Sequence, residues 1–263
     1  FGAVMQRTNF CTMGAISDLV LMGDARRFRS WLLAIAVAML GSQALHVAGI
    51  VDLDKSIYLT ANFGWLGAIV GGLMFGYGMT RAGGCGSRIL VRLGAGNLKS
   101  AIVFIVVGLF AYMTLRGIIA VARLQLEAAG TVNLAAHGLL RQGLPDMIAA
   151  LLGAPVSWVR QGVAVAATAG ILSYCFANAD FRGSVRDIVG GAVIGATVVL
   201  GWYVTGVVAF DDFQPLPLVS LTFIAPVGDS LQYLMTFTGS TIGFGVATVG
   251  GVIAGSFLMA RGT

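Results

Sequence analysis

The residues in this chain with the clearest capacity for chemistry are two cysteines set in matching frames. Phe1-Gly2-Ala3-Val4-Met5-Gln6-Arg7-Thr8-Asn9-Phe10-Cys11 and Phe75-Gly76-Tyr77-Gly78-Met79-Thr80-Arg81-Ala82-Gly83-Gly84-Cys85 both read F-G-x-x-M-x-R-x-x-x-C. Around the second cysteine stand Gly83, Gly84 and Gly86, flanked by Arg81 and Arg88. Glycines so close together let a backbone turn sharply and approach another group. Ser87 to Asn97 reads as a helix too short to cross a membrane, ended by glycine and asparagine. Its start would offer free N–H groups and a positive dipole end, with Arg81, Arg88 and Arg92 adding potential. The fitting guest is a small anion.

Backbone N–H groups and arginine alone would serve an ordinary oxyanion, so the cysteine needs a reason of its own. A neutral thiol is a weak donor with a polarizable sulfur. It suits a soft ligand such as thiosulfate, held weakly enough to be released. Two other readings of Cys85 stay open at this level: a reactive thiolate at a helix N-terminus, and a small residue packed among glycines. Cys11 has Asn9 and Phe10 where Cys85 has two glycines, which favours packing for it. Asp18 lies two turns on and shares its face on any helix, with a structural role expected. Cys175 lacks a glycine nest and is expected to pack at the end of a span. His46 is expected to be a satisfied residue at a helix end.

Composition sets the elements that must position these groups. Of 263 residues, 57% are hydrophobic and only 10% charged, so the chain is a polytopic helical membrane protein. Irregular backbone carrying arginine is tolerated at membrane depth only where protein or a polar cavity covers it. The net charge of +5 bears on topology and anion attraction, and no nucleic-acid groove is indicated. Three cysteines without a C-x-x-C pair exclude a disulfide framework and a thiolate metal cage. Two scattered histidines, His46 and His137, are too few for a haem site. No cofactor is expected.

Six spans are expected: Trp31 to about Ile50, about Ile57 to Thr80, Leu98 to Ala122, Val159 to Phe176, Ile188 to Ala209, and Ser240 to Ala260. Arg116 falls deep inside the third. Gly72 and Gly76 form a small-xxx-small pair suited to close helix contact. Residues 123–158 read as interfacial helices joined by loops, 211–217 as a turn, and 218–238 as a segment that re-enters. Arg26, Arg27, Arg29, Arg81, Arg88, Arg92, Lys99, Arg182, Arg186 and Arg261 fall on one side, which the positive-inside rule makes cytoplasmic. Two further internal matches, 68–76 with 247–255 and 28–30 with 181–184, point to a duplicated architecture. Such architectures place the site at the repeat interface. On this reading 1–263 is one transmembrane domain, with 1–122 as the first half, holding both cysteine motifs, and 159–263 as a second half incomplete at its C-terminus. A start at Phe1 rather than Met leads us to expect missing residues at both ends.

The stretches Asn9 to Asp18 and Ala82 to Ser100, with a looser match from Asp180 to Ser184 and onward, resemble the YeeE/YedE family of sulfur-transport membrane proteins. The resemblance implies an all-α, hourglass-like fold with pseudo-symmetric, re-entrant loop helices, and a permease taking up thiosulfate across the bacterial inner membrane. It implies that Cys11 and Cys85 pass the ion by transient S–H···S contacts at a constriction. It also implies a small cytoplasmic sulfur-carrier partner of the TusA type. The family's third functional cysteine, in a Gly-Cys motif near the C-terminus, has no counterpart after Cys175. Either the chain as given ends before it or this member lacks it. On the residues themselves, Arg81 and Arg88 are read as anion attractors beside Cys85, Cys11, Gly83, Gly84 and Gly86. The competing classes are a membrane thiol-disulfide oxidoreductase, which would need a proximal cysteine pair and a quinone or haem site, and a non-transporting scaffold subunit.

Overall fold

The computed structural model describes residues 1–139, 141–210 and 217–262. Thirteen α-helices follow in chain order among these residues: α1 (Gly2–Thr8), α2 (Thr12–Ser17), α3 (Arg26–Val47), α4 (Trp65–Ala82), α5 (Gly86–Gly94), α6 (Leu98–Arg116) and α7 (Ile119–Gly130). After these come α8 (Leu144–Leu152), α9 (Val156–Phe176), α10 (Ala179–Gly183), α11 (Val185–Tyr203), α12 (Ile224–Met235) and α13 (Phe244–Arg261). Strands β1 (Asn62–Gly64) and β2 (Thr131–Asn133) pair antiparallel, Phe63 opposite Val132, and tie two loops together. α3, α6, α9, α11 with its extension to Val208, and α13 are long and apolar enough to cross a membrane. The all-α, polytopic expectation holds.

The frame shared by the two cysteine segments is a real structural repeat. In each, a helix ends on a residue in the left-handed region, Asn9 at φ 54° and Gly83 at φ 70°. The cysteine two positions on then stands in extended backbone and opens a short helix, which a long helix follows. The Cys11 and Cys85 carbonyls accept the first helical bonds, from Ala15 N at 2.9 Å and Ile89 N at 3.0 Å. α5 is wrapped by α1, α6 and α13. Its Ile89, Leu90 and Val91 join Met5, Phe104, Val227 and Val252 in the main core. That burial fixes Cys85 from below.

Several sequence expectations need correction. The span expected from Ile57 to Thr80 is not among the five: residues 57–64 enter a loop and β1, and the helix α4 that follows is not apolar enough over its 18 residues to count as a crossing helix. The helix expected to run through Arg116 to Ala122 stops at Arg116. Gly117 turns extended there, and the Arg123 Nε donates to the freed Thr114 carbonyl at 3.0 Å. Arg116 therefore stands exposed at a helix end, over the Tyr112 ring. Gly72 and Gly76 face open space and mediate no helix contact among the described residues. Close helix contact occurs instead at other glycines, among them those of α11 against α3, where a Cβ at Gly191 or Gly195 would lie 2.5 Å from the Ser30 or Ala34 carbonyl oxygen. The Ser30 hydroxyl donates across this seam to the Asp187 carbonyl at 2.7 Å. Of the turn expected at 211–217, residues 211–216 lie outside the described residues. α12, at 12 residues, is too short to cross, in keeping with a re-entering segment.

Candidate functional site

Each sulfur at this site lies against the backbone N–H three residues on, Cys11 against Gly14 and Cys85 against Arg88. The two thiols lie close enough for each to feel the other's charge. Cys11 is buried and Cys85 half-buried, and the Ser87 hydroxyl lies 3.2 Å from the Cys85 sulfur. Two segments 74 residues apart in sequence thus bring their thiols close together.

The two loops line different cavities. Cys11 and Gly83 line a polar cavity of about 590 Å³ with Asp18, Arg27, Arg88 and Arg92 on its wall. Gly84, Cys85 and Gly86 line a second cavity of about 630 Å³, walled by Met74, Phe110, Ile224 and other apolar side chains. The glycines are explained by space as well as by turning. A Cβ on Gly84 would press on Arg88 Cγ at 3.0 Å, and one on Gly86 would meet Ile224 Cδ1 at 2.8 Å.

Guanidiniums hold the loops in place. Arg27 pairs with Asp18 at 2.7 Å and donates to the Asn9 carbonyl at 2.7 Å. Arg92 donates to the Gly83 carbonyl at 2.9 Å. Arg88 reaches across the repeat to donate from Nη2 to the Asn9 side-chain oxygen at 3.0 Å. Its Nη1 is buried without a hydrogen-bond partner among the described residues. Arg88 also lies near Arg27 and Arg92, and its charge is felt at both thiols. A buried cationic donor left unpaired beside two soft sulfurs is suited to an anion with a sulfur end.

Of the residues expected at the site, Cys11, Cys85, Gly83, Gly84, Gly86 and Arg88 come together. Arg81 does not join them. It is exposed in the last turn of α4, where its charge complements the helix dipole, and it lines neither cavity. Asp18 falls on the same polar cavity as Cys11, at the start of a wide helical turn over Asp18–Met22 that follows α2. Cys175 packs as expected, donating to the Arg29 carbonyl at 3.3 Å with no exposed surface.

Sequence reasoning missed Asn9 and Arg27 as parts of the site. The signal for Asn9 was its alignment with Gly83; for Arg27, which acts from another helix, there was none. It also missed a cluster at the far end of α3, where donor atoms of His46, Asp52 and Asp54 lie within 4.8 Å of one another. Arg141 and Arg160 pair with Asp54 at 3.0 and 2.9 Å, and Arg160 meets His46 Nε2 at 2.8 Å. Those guanidiniums answer the charge of Asp54 and cap His46 Nε2, which accounts for the cluster without a metal ion. His46 is thus a partnered residue near a helix end, as expected.

Comparison with known proteins gives a consistent picture. Residues 7–263 match the family described as sulphur transport. The chain is 27% identical over 270 residues to a thiosulfate transporter, TsuA, of Escherichia coli (strain K12), covering 99% of this chain and 72% of that protein. It is 33% identical over 118 residues to TsuA of Spirochaeta thermophila, covering 44% of this chain and 34% of the relative. A probable transporter, YedE, of Salmonella typhimurium is 29% identical over 98 residues, covering 37% of this chain and 23% of its own length. These relatives bear the names of transporters and not of enzymes.

Proposed function

The chain belongs to the sulphur-transport family, and from that premise we propose that it carries thiosulfate, or a closely related small sulfur-containing anion, across the bacterial inner membrane. The path runs from the polar cavity past Cys11 and Cys85 into the cavity beyond. The observation that carries this reading is the unpartnered Nη1 of Arg88, buried beside two thiols that line different cavities.

Each part has a separate task. Arg88, with Arg27 and Arg92 behind it, offsets the loss of hydration of an anion entering a narrow passage. The neutral thiols contact the terminal sulfur through weak S–H···S interactions, and that weakness lets the ion leave. Because the thiols lie close together, the ion can pass from one to the other without full release. Gly84 and Gly86 leave room for it. The cargo then goes to a small cytoplasmic carrier protein of the TusA type.

Uptake of radiolabelled thiosulfate by the purified protein in liposomes tests this directly. Cys85→Ala and Cys11→Ala should each drop uptake to background while protein yield and melting temperature stay near wild type. Wild-type uptake by Cys85→Ala would end the relay idea. Strong competition by sulfate, which lacks the soft sulfur end, would end the thiol-selectivity argument.

A further inference from the structure

Asn9 occupies a position whose backbone needs do not explain it. In the matching place of the second repeat stands Gly83, in the same left-handed conformation. Asn9 is the one non-glycine residue at positive φ among the described residues. Glycine is the default there, with asparagine and aspartate next in tolerance. Had the turn been all that mattered, glycine would have served in both repeats.

What Asn9 adds is a side-chain oxygen, and that oxygen receives Arg88 Nη2 at 3.0 Å. A guanidinium can only donate, so it is the amide oxygen that faces Arg88. The Asn9 backbone carbonyl meanwhile receives Arg27. A site bracketed by two guanidiniums is electrostatically suited to a carboxylate, and aspartate would tolerate the backbone as well. The neutral isostere stands there instead. Arg27 has Asp18 for a counter-charge. Arg88 forms no ion pair among the described residues, and its charged neighbours include Arg27 and Arg92.

We propose that Asn9 is a positioning residue that sets anion affinity: its neutral amide holds the Arg88 guanidinium beside Cys11 and Cys85 without cancelling its charge. The inference rests on the transport reading above. An aspartate would hold Arg88 equally well but answer its charge internally, and an incoming anion would meet a neutral pair. Glycine would keep the turn and the charge but leave the guanidinium unaimed.

The test compares wild type, Asn9→Asp and Asn9→Gly in proteoliposomes, with thiosulfate uptake measured over a range of concentrations and melting temperature followed in parallel. Asn9→Asp should melt at or above the wild-type temperature yet show a KM raised about tenfold or more, the scale of one unit charge cancelled a few ångströms away. Asn9→Gly should show a smaller rise in KM, with the maximal rate lowered because the ion is held in varied poses. A wild-type KM in Asn9→Asp, with wild-type protein transporting normally, would overturn the Asn9 inference alone. Equal losses in both variants would show that the charge on Arg88 is not what Asn9 preserves, and would overturn it too. Absence of uptake of any sulfur anion by the wild-type protein would instead overturn the transport reading.

Discussion

Replacing Gly195 by alanine puts the helix seam beneath the polar cavity to a direct test. The added Cβ would lie 2.5 Å from the Ala34 carbonyl oxygen, 2.8 Å from Val37 Cβ and 3.1 Å from Val37 Cγ1. A carbonyl oxygen in mid-helix cannot turn aside as a side chain can, so α3 and α11 must separate by roughly 1 Å to restore ordinary contact distance. Overpacking costs about 1–3 kcal/mol, and a clash with fixed backbone puts this one in the upper part of that range, about 2–3 kcal/mol. The better helix propensity of alanine returns about 1 kcal/mol of that. The net loss of about 1–2 kcal/mol corresponds to a fall in melting temperature of roughly 2–8 °C for a chain of this size. Uptake should fall as well, since α3 carries Arg27 and α11 follows directly on Ser184, both on the cavity wall. Gly72→Ala is the matched control. Nothing lies within 4 Å of its added Cβ, so only the propensity gain remains and melting temperature should hold or rise. Both variants are read by thermal unfolding in detergent. A Gly195→Ala protein that melts like wild type, or a Gly72→Ala protein that melts lower, would refute the reasoning.

Oxidising Cys175→Ala with copper phenanthroline should join Cys11 to Cys85 within one molecule, abolish labelling of both thiols and block uptake until a reductant is added. Persistent free thiols would show that the sulfurs do not meet. Cys175→Ala without oxidant should keep wild-type uptake and lose only the roughly 1 kcal/mol expected of one thiol hydrogen bond, visible as a melting shift of a few degrees. A large loss of uptake would place Cys175 on the ion's path. At the surface, the Arg26 guanidinium beside Asp24 holds its carboxyl below the usual carboxylate range. A group held down in this way contributes stability above its unfolded value of about 3.9, and the contribution is lost as pH falls through the lower folded value. The pair is exposed and screened, so Asp24→Asn should shift the melting temperature by under about 2 °C between pH 5 and 8. A pH-dependent shift within that window would contradict the assignment.

Apolar content, the near absence of charge in the long runs, and the twin F-G-x-x-M-x-R-x-x-x-C frames already determine a polytopic helical protein with Cys85 opening a short helix and Cys11 in a matching frame. Those features are local: hydropathy is counted along the chain, and a glycine nest before a helix start is written in consecutive residues. Helix contacts proved harder to read, because glycine marks a possible close approach without naming a partner. The small pair Gly72 and Gly76 faces open space, whereas Gly191 and Gly195 meet α3. The closeness of Cys11 to Cys85, the reach of Arg88 to Asn9 and the hold of Arg27 on the Asn9 carbonyl join segments distant in sequence. No spacing rule encodes such meetings. They follow from the packing of α5 among α1, α6 and α13, and that packing sets two sulfurs and an uncompensated guanidinium in one place.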